Sequence, residues 1–196
     1  MIAEYAREVL GLFPRGRLLV GVDGIEHPET APPSVRERFA TDLAAAFAAE
    51  GAGAAAVPLA RWTASDPPRD PAVLADRLYD VDAFRAEVVD PFRAGRPVPA
   101  AGGSGLGDRA VLVVSGIFLH HPAVAPLWHT SAWLAMPRAV ARRLDEERLH
   151  LGPEVGERWG AAVDRSFALL DARKRSQASF DATDPEHPRR VFEDAC

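Results

Sequence analysis

Residues 17–22, RLLVGV, form an unbroken apolar run that ends against Gly24. A strand with one solvated face alternates apolar and polar side chains, so a continuous run predicts a strand buried on both faces. AVLVVSGIFL (110–119) is a second and clearer run of this kind, and TSAWLAM (130–136) another. GAAAVPLA (53–60) reads as a short strand weakened by Pro58, and ASFDAT (178–183) as a short last strand.

Helical patterns separate these runs. Residues 2–12 carry Ile2, Tyr5, Ala6, Val9 and Leu10 on one face. Ser34, with Glu37 three positions on, is a capping box ahead of RFATDLAAAFAAEG. VLADRLYDVDAFRAEVVDPF (73–92) reads as one or two helices stopping at Pro91, with a short helix near 122–128. PRAVARRLDEERLHLG (137–152) and PEVGERWGAAVDRSFALLDARKRS (153–176) complete the set. Strands alternating with helices predict a three-layer α/β/α domain with a mainly parallel sheet of about five strands. At 196 residues the chain is expected to be one domain, with 93–108 a flexible loop.

Composition narrows the function. The net charge is −5, from 23 basic and 28 acidic residues, which argues against a nucleic-acid binder with a basic stripe. The lone cysteine, Cys196, ends the chain and reads as an exposed thiol, so neither an intrachain disulfide nor a cysteine zinc site is available. No apolar segment is long enough to span a membrane, and the N-terminus lacks a basic signal-peptide region, so the expected location is the cytoplasm. Lys174 is the one lysine among the 23 basic residues.

The ordered blocks LLVGVDG, FATDLAAAF, YDVDAFRAEVVDPFRAG, VLVVSGIFLHHPAVAPLWHTSAWLAMP and RWGAAVDRSFALLDARKRSQASFDATDPEHP resemble the uridine kinase-like P-loop phosphotransferases in their short bacterial form. The resemblance runs from about Arg17 to Pro188. It implies the P-loop kinase fold and an ATP- and magnesium-dependent transfer of phosphate to a nucleoside hydroxyl.

Position by position, that chemistry is poorly supplied. A phosphate loop, G-x-x-x-x-G-K-[ST], curls backbone N–H groups round the phosphates and sends a lysine to their oxygens. Gly21 stands at the first glycine, but counting on reaches Glu26, His27 and Pro28. Anchored on the following helix instead, Arg36 and Glu37 occupy the Lys–Thr positions, which leaves Arg36 as a substitute for the lysine. The prolines of 25–33 donate no N–H, and Glu26 and Glu29 repel phosphate, so this segment is expected to be a stiff acidic cover. The family's base aspartate aligns with Ala60 or Arg61, its aromatic with Trp62, and its magnesium acid with Ser115. Catalytic residues are therefore left unassigned.

Other polar groups match the family better. Asp23 and Gly24 lie at the strand edge where open α/β sheets take ligands. Arg142, Arg143 and Arg158 resemble phosphate-clamping arginines of the lid and the segment after it, though Arg142 and Arg143 also fit a solvated charged face. Arg61 and Trp62 could stack on an anionic or planar ligand, or be a loop arginine over a half-buried ring. No metal site is assigned: no carboxylate stands at close sequence spacing to His120, His121 and His129, and adjacent histidines point apart. Ser115 lacks the G-x-S-x-G setting of a nucleophile, and the stripe Trp159, Val163, Phe167, Leu170 reads as core.

Two readings result. One is a nucleoside kinase-fold pseudoenzyme that binds a nucleoside, a nucleotide or another phosphorylated small molecule. The other is an active enzyme, either a divergent kinase or a recruited fold with different chemistry. A protein partner or homodimer is left open, and neither nucleic acid nor membrane is expected as a partner.

Overall fold

The computed structural model describes residues 1–25, 33–68, 70–103, 105–149 and 153–192, without the side chains of 72, 145–149, 153–156 and 167. The Cys196 thiol and all of the 25–33 segment except Ile25 and Pro33 lie outside the described residues. The elements run α1 (Ile2–Leu12), β1 (Arg17–Asp23), α2 (Val35–Ala49), β2 (Gly53–Pro58), α3 (Pro71–Arg77), α4 (Val81–Phe84), α5 (Asp90–Arg93), β3 (Ala110–Ser115), β4 (Thr130–Ala135), α6 (Arg138–Leu149), α7 (Pro153–Leu170), α8 (Ala172–Arg175), β5 (Ala178–Asp181) and β6 (Arg189–Val191).

The sheet order is β2-β3-β1-β4-β5-β6. β1 is flanked by parallel β3 and β4, with Leu19 beside Leu112 and Val22 beside Ala132. The two unbroken apolar runs are thus adjacent at the middle of the sheet. Their alternate residues feed two cores. Leu18, Val20, Val22, Val111, Val113 and Phe180 face α1 and α2. Leu19, Leu112, Val114 and Trp133 face Phe84, Val88 and Trp159 on the other side. Every residue of β3 is buried, as the run implied. Phe180 locks one side through edge-on contacts with Tyr5 and Phe39, at 5.7 and 4.7 Å between ring centroids.

The sheet has six strands where about five were expected. The extra one, β6, pairs antiparallel with β5, Phe180 opposite Arg190. Three residues with two arginines show no strand periodicity. What places them is a tertiary contact, the two Arg190 guanidinium nitrogens donating to both Glu8 oxygens on α1 at 2.7 Å each. The helical segment also runs past Pro91: Asp90–Arg93 is helical and continues without a break from helical Val89, so the proline lies inside the helix. Before it, Arg85–Val89 is wound as a π-helix. The run 153–176 breaks at Asp171, whose φ of 41° turns the chain into α8.

Candidate functional site at the carboxyl edge of the sheet

Asp23 ends β1 and is 1% exposed. Its Oδ1 accepts the Gly24 N–H at 2.8 Å and its Oδ2 the Leu119 N–H at 3.0 Å, and the Phe118 N–H also points to it. Two consecutive amides can face one carboxylate because the chain reverses just after β3. Phe118 adopts a φ of 59°, a left-handed conformation costing a non-glycine residue about 1–3 kcal/mol. Its ring is held 5.5 Å from that of Trp159. Burial dominates the ionisation of Asp23, outweighing these N–H donors and the charge of Arg36, and pushes its pKa up to about 7.

Arg36, in the first turn of α2, is itself buried. Its stem lies over Gly24, where a Cβ would come within 3.2 Å of Cγ and Cδ, so glycine is what admits the arginine. The Arg36 charge acts on both Asp23 and Tyr79. Tyr79, pushed up to about 12 by burial, accepts the Ile117 N–H at 3.1 Å through its hydroxyl. The β3 reversal is therefore gripped by Asp23 on one side and Tyr79 on the other.

The start of α2 is equally self-contained. The Glu37 N–H donates to Ser34 Oγ at 3.2 Å, and Glu37 Oε2 accepts the Ser34 N–H at 3.0 Å, the capping box read from the sequence. Helix N-termini attract anions through free amides and the positive end of the dipole. Here Glu37 takes up the N-cap amide, that of Ser34.

Of the other sequence candidates, Gly21 sits under Leu119 and Trp128, with 3.2 Å to the nearest side-chain atom from a Cβ there. Trp62 is buried edge-on to Phe84 at 5.1 Å and donates its Nε1–H to Glu87 Oε2 at 3.0 Å. Arg61 is exposed and donates to the Ala100 carbonyl at 3.1 Å. Arg142 and Arg143 lie exposed on α6, and Arg158 is half-buried on α7. The fold thus joins Asp23, Gly24 and Arg36 into one cluster and sets Arg61 and Trp62 in another, beside 84–87 and 100.

The three histidines go separate ways. His120 shares Nε2 with Ser176 Oγ at 2.9 Å and Ser131 Oγ at 3.3 Å, and burial lowers its pKa. The Ser176 hydroxyl donates to the Ala172 carbonyl at 2.9 Å, so toward His120 it accepts and is not activated as a nucleophile. His121 pairs with Asp76 at 2.6 Å, and His129 Nδ1 accepts the Leu19 N–H at 3.0 Å.

Next to the Asp23 cluster only about 10 Å³ of space is left, lined by Gly24, Phe118, His120 and Ser166 among others. Past the ends of β4 and β5 lies a much larger cleft of about 480 Å³. Ile25, Trp133, Met136 and Pro137 form its apolar part, and Arg138, Arg173, Asp181 and Thr183 its polar part. Sequence reading missed these polar residues, since none belongs to a motif. The signal they carry is positional: Asp181 and Thr183 close β5, and Arg138 follows β4, at the edge where parallel sheets bind ligands.

No protein-family model matches the chain, and neither does any curated protein. Two solved structures show the same architecture. One, described as a "possible uridine kinase" from Bacillus stearothermophilus, superposes with a TM-score of 0.58 at 15% identity, covering 92% of this chain and 97% of that one. The other, a "putative fructose transport system kinase" from Silicibacter sp. TM1040, gives 0.55 at 20% identity over 90% and 95%. The chain has a uridine kinase-like P-loop kinase fold.

The Asp23 cluster lies at the carboxyl end of β1, Ser115 ends β3, and Ala60 follows β2. Magnesium takes oxygen ligands, at least one usually a carboxylate. At the end of β3 the donor is a single buried hydroxyl, Ser115, and the nearby Asp23 carboxylate is already bound by backbone amides. Among the described residues no group of three histidines, cysteines or acids could hold a metal ion. The described residues do not fit a magnesium site, and no reaction step is assigned to one.

Proposed function

We propose that this chain is a nucleoside kinase-fold protein that has lost conventional ATP-dependent phosphoryl transfer and binds a small molecule, a nucleoside, nucleotide or other phosphorylated compound, at the carboxyl edge of its sheet. One observation carries the reading. Beside the expected phosphate positions, the Asp23 carboxylate is tied to backbone amides and Glu37 accepts the Ser34 N–H at the N-cap of α2. Arg36, in the register of the missing lysine, is buried over Gly24 with its charge acting on Asp23. A phosphate approaching there would find these amides already bonded to acidic side chains.

Asp23 and Gly24 shape the ligand edge in this reading, and Arg142, Arg143 and Arg158 supply positive charge along α6 and α7. Calorimetric titration with ATP and magnesium tests it: absent or millimolar binding is expected, with no phosphate transferred to nucleosides. Micromolar binding abolished by Arg36→Ala would overturn it. Replacing 25–33 with a G-x-x-G-K loop is expected to improve ATP binding without turnover, because Ala60 and Ser115 still lack carboxylates. Turnover from the loop alone would show that another acid, Asp23 foremost, does the base's work.

A further inference from the structure

We propose that the amino-terminal edge of the sheet, opposite the Asp23 corner, is a docking stripe for an acidic segment of a partner protein. β3, β1 and β4 are neighbours, and each begins beside a basic residue: Arg109 before β3, Arg15 and Arg17 at β1, His129 before β4. Arg93 and Arg96, from the end of α5, join them. Arg17 lies 5.7 Å from the Phe92 ring, and a Cβ at Gly95 would come within 3.0 Å of Arg17 Nη2. The Gly16 carbonyl accepts the Ala110 N–H at 3.0 Å, which brings Arg109 alongside. Arg17 is half-buried, and the other four arginines are exposed.

Ion pairs do not consume this positive charge. Among the described residues none of the five arginines meets a carboxylate: Arg93 donates to the Leu127 carbonyl at 3.3 Å, Arg109 to the Glu50 carbonyl at 3.4 Å, and Arg17 lies over Phe92. The acids on this side are Glu50, paired with Arg7 at 3.9 Å, and the exposed Asp90 and Asp108. The carboxyl ends of α1 and α2 add about half a negative charge each. Five guanidiniums outweigh these together, on a chain whose net charge is −5. His129 adds no charge at neutral pH, because burial and the Arg93 charge hold its pKa below the ordinary value.

Three neighbouring strands span about 10 Å, the reach of three or four residues of an extended chain. A partner segment with carboxylates at alternate positions matches that spacing, since each can take a planar guanidinium in bidentate fashion. Leu12, 61% exposed, and the exposed Pro14 flank Arg15 in the chain and offer an apolar side chain of the partner a contact. Nucleic acid is the poorer match, because a long polyanion would run from this short stripe onto an acidic protein.

Fluorescence anisotropy with the full chain tests the proposal. The probes are a labelled peptide alternating glutamate and serine round a central leucine, the same peptide with glutamine for glutamate, and a single-stranded oligothymidine of equal charge. The glutamate peptide is expected to bind at least about tenfold tighter than the glutamine one, tighter than the oligonucleotide, and less well as salt rises. Arg15→Glu and Arg96→Glu, at exposed positions, should each weaken it by about tenfold or more with an unchanged melting temperature. Arg77→Glu, an exposed change of the same charge on α3, should not. Equal binding of the two peptides, tighter binding of the oligonucleotide, or indifference to both stripe substitutions would overturn the proposal. So would a dimer, seen by sedimentation, that Arg15→Glu and Arg96→Glu dissociate while no peptide binds, since the stripe would then belong to a second copy of this chain.

Discussion

The Asp23 corner and the cleft past β4 and β5 sit on the same edge of the same sheet, yet they treat polar groups oppositely. At Asp23 the donors and acceptors are spent on one another, and about 10 Å³ remains beside them. In the cleft, Arg138, Arg173 and Asp181 face solvent round an opening of about 480 Å³. The difference teaches that sheet-edge geometry alone does not make a binding site. The first region ties its buried carboxylate to backbone amides and leaves little space beside it. The second has no motif and stays open.

If the first region is built for stability, damage there should be expensive. Asp23→Ala leaves three buried amides without their acceptor, and is expected to cost about 3–5 kcal/mol in urea unfolding. An Asp23→Ala protein as stable as the parent would break the comparison outright.

Ser34→Ala deletes one half of the capping box and is expected to cost about 1 kcal/mol. A variant with unchanged stability but new phosphate affinity would show that the helix end was available to anions after all.

Asp23 also imposes a pH dependence. Its folded pKa of about 7 lies above its ordinary 3.8, so the folded state holds the proton more tightly than the unfolded chain does. The stability gained this way is complete below the ordinary value and is lost as pH rises through about 7. Melting temperature should therefore fall between pH 5 and 7.5, and the Asp23→Asn variant should lack that part of the slope. A wild-type curve parallel to that of the variant would show Asp23 to be ionised throughout.

The smallest effects belong to the open side. Arg173→Ala should leave stability within about 0.5 kcal/mol, since exposed charges contribute little to folding. His121→Ala, which removes a partly exposed pair with Asp76, should cost no more than about 1 kcal/mol. A larger loss at Arg173 would mean that the cleft is a structural seam rather than a site.

Much of the architecture was legible. Unbroken apolar runs marked β1 and β3 as central, and the Ser34–Glu37 spacing located the start of α2, because these signals depend on near neighbours in the chain. β6 was not legible, since its pairing depends on Glu8, far away in sequence. Trp62, read either as a ring stacking on a ligand or as a half-buried ring beside a loop arginine, lies against Phe84 and binds Glu87, and sequence position does not choose between the two.

The sequence by itself determined the class of fold, the place of the one lysine at 174 and the lack of a carboxylate at Ala60 and Ser115, all facts of residue identity and local period. Only the tertiary structure decided that Asp23 would be sealed by the amides of Phe118 and Leu119, that Arg36 would lie over Gly24, and that Arg138 and Arg173 would share a cleft with Trp133. Those relations join residues from about 12 to about 96 positions apart, and whether a polar group meets water or another polar group is settled only when the distant parts of the chain have packed.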